Sequence, residues 1–447
     1  MNINHFKNSH KKFVTDPVTE NSCTQDEFYR IVQTKIKNII PKKNTIYHLP
    51  ISNTINSMTD IVAHAIKGSC IQLKTINEDN RYETINETKF DLVIGSSGST
   101  GAGRRIKLNW TDALKNSKHM TEHMSLNSEN IHMLLMPLHH VNSLFYSFFS
   151  SVIIGQHIIM PSKINFLQFW KWVKKYNINS VNVSPTIIKQ LNRRPTPKNH
   201  QLKNVLSASS ALSKKDFEIF KNKTGIEIIQ GYGLSEATNF STVMPIDPAE
   251  RNAVNQFFKN ESILSIGTAL PEHNIKIKNE KKEGELLINS PSNFVGYLNE
   301  NANTDWVQTG DLGYYKTFKN KKYWFLRSRI KEIIKYRDQT LYPQDIEQWV
   351  QNQLNLPISF FCFGFKNNFD IESIGMLIDK NNWSTKINEK IIEFTKQTYS
   401  YYPRLIIIRS ISNYLTTTNK PQRIKTATTV NSKYQEMYIG KKIMIDI

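Results

Sequence analysis

Cysteine is scarce in this chain: three residues, Cys23, Cys70 and Cys362, lie far apart and none belongs to a CxxC pair. An odd, scattered set argues against a disulfide framework and suits reduced thiols, so a cytoplasmic location is expected. An apolar core of signal-peptide length is missing as well, since the chain opens MNINHFKNSHKKF, and secretion is not expected. No GxxxxGK[ST] sequence occurs, so any phosphate-binding loop here is not of the Walker type. Acidic residues are outnumbered, 38 against 58 Lys and Arg, which gives a formal charge of +20. The basic residues are dispersed rather than gathered in one arm or helix. They read as solvated helix faces, and no dedicated nucleic-acid surface is expected. Long apolar runs are also lacking. The stretch from Val141 to Ser162 carries no formal charge, but Asn142, several serines, Gly155, Gln156, His157 and Pro161 interrupt it. A buried helix followed by a buried strand explains it better than a bilayer crossing.

What is present suits a folded α/β chain. With 447 residues and 39% hydrophobic composition, two unequal domains are expected, without internal repeats or low-complexity tracts. A helix is predicted over Thr24–Ile40, and TDIVAHAIKGSC reads as another that stops near Gly68. Apolar strands then alternate with amphipathic helices: INSVNVSPT, LKNVLSAS, a helix, and IEIIQGYG. That helix has Ser213 as its cap, Asp216 at the capping-box position, Phe217 and Phe220 on one face, and Gly225 to close it. Such alternation indicates a mostly parallel sheet. Past Gly284 shorter strands follow (GELLINS, KKYWFLRS, SFFCFGF, IGMLID, RLIIIRS), with helices at Pro343–Leu354 and Ser384–Ser400. The boundary is placed near Lys331, dividing the chain into 1–330 and a smaller α+β unit, 331–447.

Four short segments carry candidate chemistry. Ser96 to Arg105 (SSGSTGAGRR) follows a strand; its glycines let backbone N–H groups face anionic oxygens, and its arginines add charge. Gly231-Tyr232-Gly233-Leu234-Ser235-Glu236 ends another strand, with a ring free to lie against a flat base and a carboxylate suited to a hard cation. Thr309-Gly310-Asp311 and Ser328-Arg329-Ile330-Lys331-Glu332 supply an acid and a base of the kind that hold sugar hydroxyls. Singly, each also fits an ordinary loop or a surface charge.

In this order and at these distances the segments resemble the adenylate-forming superfamily of acyl-CoA synthetases, peptide-synthetase adenylation domains and firefly luciferase. SSGSTGAGRR is similar to its phosphate loop and MPLHHVNS to the segment bearing an acyl-pocket His. SASSAL, which contains Ser209, matches the adenine-side strand end, GYGLSE the base-stacking and magnesium motif, and TGD the ribose motif. RSRIKEIIKYRDQTLYPQDIE matches the hinge and looks nearest to 4-coumarate:CoA ligases. The resemblance runs from about Ile46 to Lys425. It implies a large N-terminal adenylate-forming domain with mostly parallel sheets and a smaller, mobile C-terminal domain. It also implies ATP, Mg²⁺ and coenzyme A, or the phosphopantetheine of a carrier protein, as reactants and cofactors.

By the same resemblance, Ser97, Ser99 and Thr100, with Gly101 and Arg104 in the same loop, hold the β- and γ-phosphates. Tyr232 stacks on adenine, Ser235 meets the α-phosphate, Glu236 binds Mg²⁺, and Asp311 and Arg329 bind ribose. His140 lines the acyl pocket, Lys331 is the hinge, and Lys420, three residues before Arg423, is the catalytic lysine. The chain departs from the family pattern at Gly103-Arg104, where Pro-Lys is usual, and at Asp338 and Asn419, where glycine is usual. No aspartate follows His140 in VNSLFY, which argues against an α-amino-acid substrate; a fatty, aryl or short aliphatic acid remains open. A small carboxylic acid and an acidic acyl or peptidyl carrier protein are the partners considered, and a degenerate nucleotide binder is the rival class. His119, Glu122 and His123 fit the zinc pattern HxxEH but lack a third ligand in sequence, so no metal site is expected there.

Overall fold

The computed structural model describes residues 1–74, 82–86, 90–95, 104–197, 199–298, 300, 305–336, 339–354, 359–366, 372–384, 389, 393, 405–416, 420–434 and 444–446. Local signals act as the sequence analysis expects. Thr24 and Glu27 form a reciprocal capping box at the start of the helix Gln25–Asn38. The helix Ile55–Lys67 ends at Gly68. Ser213 accepts the Asp216 N–H at 3.0 Å to start the helix Lys214–Thr224, and Gly225, with φ of 72°, closes it. The uncharged run becomes a π-helical segment, Asn142–Phe149, then a helix, Ser150–Ile154, and a strand, His157–Ile159. Some of its hydroxyls are satisfied within the run, Ser151 Oγ donating to the Ser147 carbonyl at 2.8 Å. Among the described residues no helix is long and apolar enough to cross a membrane.

A thirteen-stranded sheet organises the molecule. Its parallel part runs Lys12–Thr15, His157–Ile159, Ile131–Leu134, Ser180–Val183, Asn204–Ser207 and Ile229–Gly233, in that spatial order. Ser180–Val183 is buried at every position, as a central parallel strand covered on both faces must be. After Ile229–Gly233 the direction changes. Phe240–Val243, Ser265–Ala269, Lys321–Arg329, Val307–Phe318, Gly284–Asn289 and Asn274–Ile277 continue the sheet with antiparallel pairing. Past Gly284 the strands are of mixed length: Gly284–Asn289 and Gly296–Tyr297 have six and two residues, whereas Val307–Phe318 and Lys321–Arg329 have twelve and nine. A second, six-stranded sheet contains Leu92–Gly95, Arg105–Leu108 and Gly296–Tyr297.

Toward the C-terminus lie a two-stranded pair, Ile334–Tyr336 with Gln339–Leu341, and a four-stranded sheet beginning with Phe360–Lys366. The helix Pro343–Leu354 is present as predicted. The helix expected at Ser384–Ser400 falls almost wholly outside the described residues. Contacts join the helix Pro343–Leu354 to a strand and a loop of the large sheet: Arg327 meets Asp345 at 3.4 Å, and Gln348 Nε2 donates to the Ser262 carbonyl at 3.0 Å.

Candidate active site

Three parallel strands of the large sheet end at one cleft. His140 follows Ile131–Leu134, Ala208 and Ser209 follow Asn204–Ser207, and Ser235 and Glu236 follow Ile229–Gly233. The carboxyl ends of parallel strands, where the sheet order changes, leave room between diverging connections. The cleft has a volume of about 490 Å³, and Arg329, Lys331, Glu332, Thr416 and Lys420 wall it from the C-terminal side.

Asp311 and Arg329 are cross-strand partners in the pairing of Val307–Phe318 with Lys321–Arg329. Arg329 Nε lies 2.7 Å from Asp311 Oδ1, and the Tyr232 hydroxyl donates to Oδ2 at 2.7 Å. Thr309 Oγ1 accepts the Asp311 N–H at 3.0 Å, and Arg329 Nη1 donates to the Thr309 carbonyl at 3.1 Å. Asp311 is 2% exposed, and burial raises its carboxyl above the usual range while the Arg329 guanidinium opposes the rise. The Tyr232 ring is itself buried, behind Gly233 and Leu234 at the cleft wall, and burial pushes its hydroxyl well up.

Glu236 sits on a short turn, Ser235–Ala237, half-buried at the cleft. Its Oε1 accepts from the Tyr297 hydroxyl at 3.0 Å, and Arg104 lies over the Tyr297 ring at 4.6 Å. A Cβ on Gly233 would come within 1.5 Å of the Asn239 carbonyl oxygen, so only glycine permits this turn to fold back on itself. Ser209 lines the same cleft with φ of 77°, an uncommon conformation for a residue with a side chain.

On the opposite wall, burial brings the Lys420 ammonium down to about 8; Arg329 adds to the fall, and Asp311 and Glu332 oppose it. Lys420 is held by its backbone, its N–H donating to Thr416 Oγ1 at 3.0 Å and its carbonyl accepting the Thr416 N–H at 2.8 Å. His140 is brought down to about 3 by burial, with His139 and Lys420 contributing, so its imidazole is neutral. Its Nε2 has no hydrogen-bond partner among the described residues.

A family model described as AMP-binding enzyme matches residues 30–298, more than half of the chain. The chain belongs to the AMP-binding enzyme family. It is similar to 4-coumarate–CoA ligase-like 9 of Arabidopsis thaliana, 27% identical over 284 residues that make up 59% of this chain and 48% of that one. With 4-coumarate:CoA ligase 1 of Petunia hybrida the identity is 23% over 380 residues, 78% of this chain and 67% of the relative. The matches thus span about half to two thirds of these relatives' lengths. Among solved structures, O-succinylbenzoate coenzyme A synthetase from Bacillus subtilis with ATP and magnesium superposes with a TM-score of 0.73 at 14% identity. That superposition covers 93% of this chain and 96% of the other. The ATP-bound MatB from Rhodopseudomonas palustris gives 0.79 at 14% identity, covering 97% and 100%. These likenesses establish the adenylate-forming fold, a large α/β body with a smaller sheet unit at the C-terminus.

Within this AMP-binding chain, Glu236, Arg329, Lys420, Ser235, Ser209, His140, Lys331 and Arg104 line one cleft, and Tyr232 and Asp311 lie directly beside it. Ser97, Ser99, Thr100 and Gly101 fall outside the described residues, as do Asp338 and Asn419; Gly95 and Arg104, on either side of the first of these segments, both line the cleft. His119 and His123 lie outside it. His119 packs edge-on against His273, and His123 Nε2 lies 3.0 Å from the Met244 carbonyl oxygen. Among the cleft residues that the sequence reading did not single out are Tyr297 and Asn239. Gly296-Tyr297 repeats the Gly-Tyr pairing of Gly231-Tyr232, a signal that was open to notice. Asn239 carries no sequence signal.

Proposed function

We propose that the chain uses ATP to activate a carboxylic acid as acyl-AMP and then transfers the acyl group to a thiol, with coenzyme A as the acceptor. The observation that carries this reading is the meeting of Tyr232, Asp311 and Arg329 in one bonded cluster, with Glu236 and Lys420 on the adjoining cleft. In this reading Asp311 and Arg329 hold the ribose, Tyr232 backs the purine, and Ser235 meets the α-phosphate. Ser97, Ser99, Thr100, Gly101 and Arg104 hold the outer phosphates. The division between the two domains falls near Lys331, about which the C-terminal part turns between the two half-reactions.

Glu236 suits a magnesium ion. Its carboxylate lines the cleft, as do those of Glu285 and Glu332, and among the described residues no group of three His, Cys, Asp or Glu side chains gathers to build an all-protein cage. Magnesium commonly takes one or two carboxylates together with substrate phosphates, and there it neutralises phosphate charge. The chemistry needs little else from the chain. A carboxylate oxygen attacks the α-phosphorus, the bond to the β-phosphate bridging oxygen breaks, and pyrophosphate leaves. Lys420, a cation facing that point, stabilises the charge that grows in the transition state. The thiolate then attacks the acyl carbon and AMP departs with its bonding pair.

Support for coenzyme A comes from the relatives, several of which bear the name of CoA ligases. A carrier-protein phosphopantetheine offers the same thiol and is the competing acceptor. The deciding measurement is acid-dependent exchange between ATP and labelled pyrophosphate across a panel of carboxylic acids. Exchange with at least one acid, followed by thioester formation on adding coenzyme A, is expected. ATP binding with no exchange across the panel would point instead to a nucleotide-binding relative without turnover.

A further inference from the structure

The turn that carries Glu236 is braced from outside its own strand. The Glu236 carbonyl accepts the Phe294 N–H at 2.8 Å, and Thr238 Oγ1 donates to the Ser292 carbonyl. From there the chain runs into Gly296–Tyr297, which pairs antiparallel with Arg105–Leu108, the strand directly after Arg104. The Val295 N–H donates to the Lys107 carbonyl and the Leu298 N–H to the Arg105 carbonyl, both at 2.8 Å. Tyr297 therefore stands between two edges of the cleft that belong to different sheets. One is the end of Ile229–Gly233, with Glu236 beyond it; the other is the start of Arg105–Leu108, with Arg104 before it.

The side chain uses this place twice. Its hydroxyl donates to Glu236 Oε1 at 3.0 Å, and its ring face meets the Arg104 guanidinium at 4.6 Å. Phe294 packs edge-on against the same ring at 5.0 Å, which with the strand pairing fixes where the ring can lie. Burial, with Glu236 adding and Arg104 opposing, pushes the hydroxyl to about 12, so it keeps its proton and remains a donor at neutral pH. An ionised carboxylate offers about four acceptor sites, so one such bond orients the group and leaves it able to take a cation. A single ring thus spaces an acid suited to a hard cation from a base suited to phosphate oxygens.

Resting on the nucleotide and magnesium reading above, we infer that Tyr297 is a positioning residue. It holds the Glu236 carboxylate and the Arg104 guanidinium as one unit, so that the divalent cation and the outer phosphates bind together. Partners that orient a ligating carboxylate commonly set metal affinity by 10- to 100-fold. The test uses Mn²⁺ as a paramagnetic probe, titrated into the full chain with α,β-methylene-ATP, and calorimetry of AMP and of the analogue without metal. Tyr297→Phe, which keeps the ring and loses the hydroxyl, should weaken Mn²⁺ by about 10- to 100-fold and leave AMP affinity unchanged. Tyr297→Leu, which loses the ring as well, should also weaken the metal-free analogue by about threefold through Arg104, again sparing AMP. In Glu236→Gln, adding Tyr297→Phe should cost no further Mn²⁺ affinity. Four results each overturn the inference alone: unchanged Mn²⁺ affinity in Tyr297→Phe, an equal loss for AMP (the mark of a merely structural role), losses that add in the double variant, or metal-free binding alike in both Tyr297 variants. A Glu236→Gln variant that binds Mn²⁺ as the native chain does removes the magnesium assignment and this inference together, as does a native chain that binds no analogue.

Discussion

Burial, with Arg329 close by, brings the Lys420 ammonium down to about 8, while Asp311 and Glu332 pull the other way. A lysine poised there is protonated at neutral pH but loses its charge within the range an assay can reach. If it stabilises the adenylation transition state, kcat/KM for that half-reaction should fall as pH rises through about 8, since kcat/KM reports the free enzyme's groups. Lys420→Arg, whose guanidinium stays charged, should hold the profile flat to higher pH. Lys420→Ala should cut adenylation by about 10²- to 10³-fold and affect thioester formation from preformed acyl-AMP much less. Equal losses in both steps would take this role away from Lys420. His140 illustrates the opposite limit. The sequence marks it as a cleft residue through MPLHHVNS, but only enclosure determines that its imidazole is neutral.

Elements in this fold are tied through a few buried charges. Arg423 Nη2 makes bonds of 2.8 Å to both oxygens of Glu347, and its Nη1 lies 3.4 Å from Glu332. Three pieces meet in that cluster: the turn Ile330–Glu332, the helix Pro343–Leu354 and the helix Arg423–Tyr434 that follows Lys420. Removing the cation leaves two carboxylates enclosed, so Arg423→Met should destabilise the C-terminal part by about 3–5 kcal/mol. Thermal unfolding would detect it, and adding Glu347→Leu should recover part of the loss. A double variant no better than the single one would contradict this account. Capped helices such as Lys214–Thr224 were legible because each signal lies within a few residues of its partner. The strand Val307–Phe318 was missed for a physical reason. Its buried face begins Val307, Thr309, Asp311, so the alternation that marks a strand is carried partly by polar side chains whose partners lie on other strands.

For the whole molecule, buried histidines link folding to pH. His132, enclosed between Ser180 Oγ at 2.9 Å and Ser147 Oγ at 3.0 Å, is brought down to about 3 by burial. Burial, with Lys12 nearby, brings His157 to about 4. In the unfolded chain such groups titrate near 6.5. Between those values the unfolded state binds more protons, so stability is complete above about pH 6.5 and declines as pH falls toward the folded values. Each group contributes roughly 1.4 kcal/mol per pH unit in that window. Denaturant titrations at pH 7, 6 and 5 should show the decline, and His132→Gln should make it shallower. A slope unchanged in that variant would exclude His132 as a source.

By itself the sequence determined the α/β class, the capped helices, the family and the order of the chemistry-bearing segments, because these depend on local spacing and on residue types at fixed offsets. Only the tertiary structure decided that Tyr232 and Arg329 both bond to Asp311, and that Tyr297 braces Glu236. Those facts depend on strands far apart in the chain coming side by side. Pairing of that kind arises from packing the whole sheet, and no short window of residues encodes it.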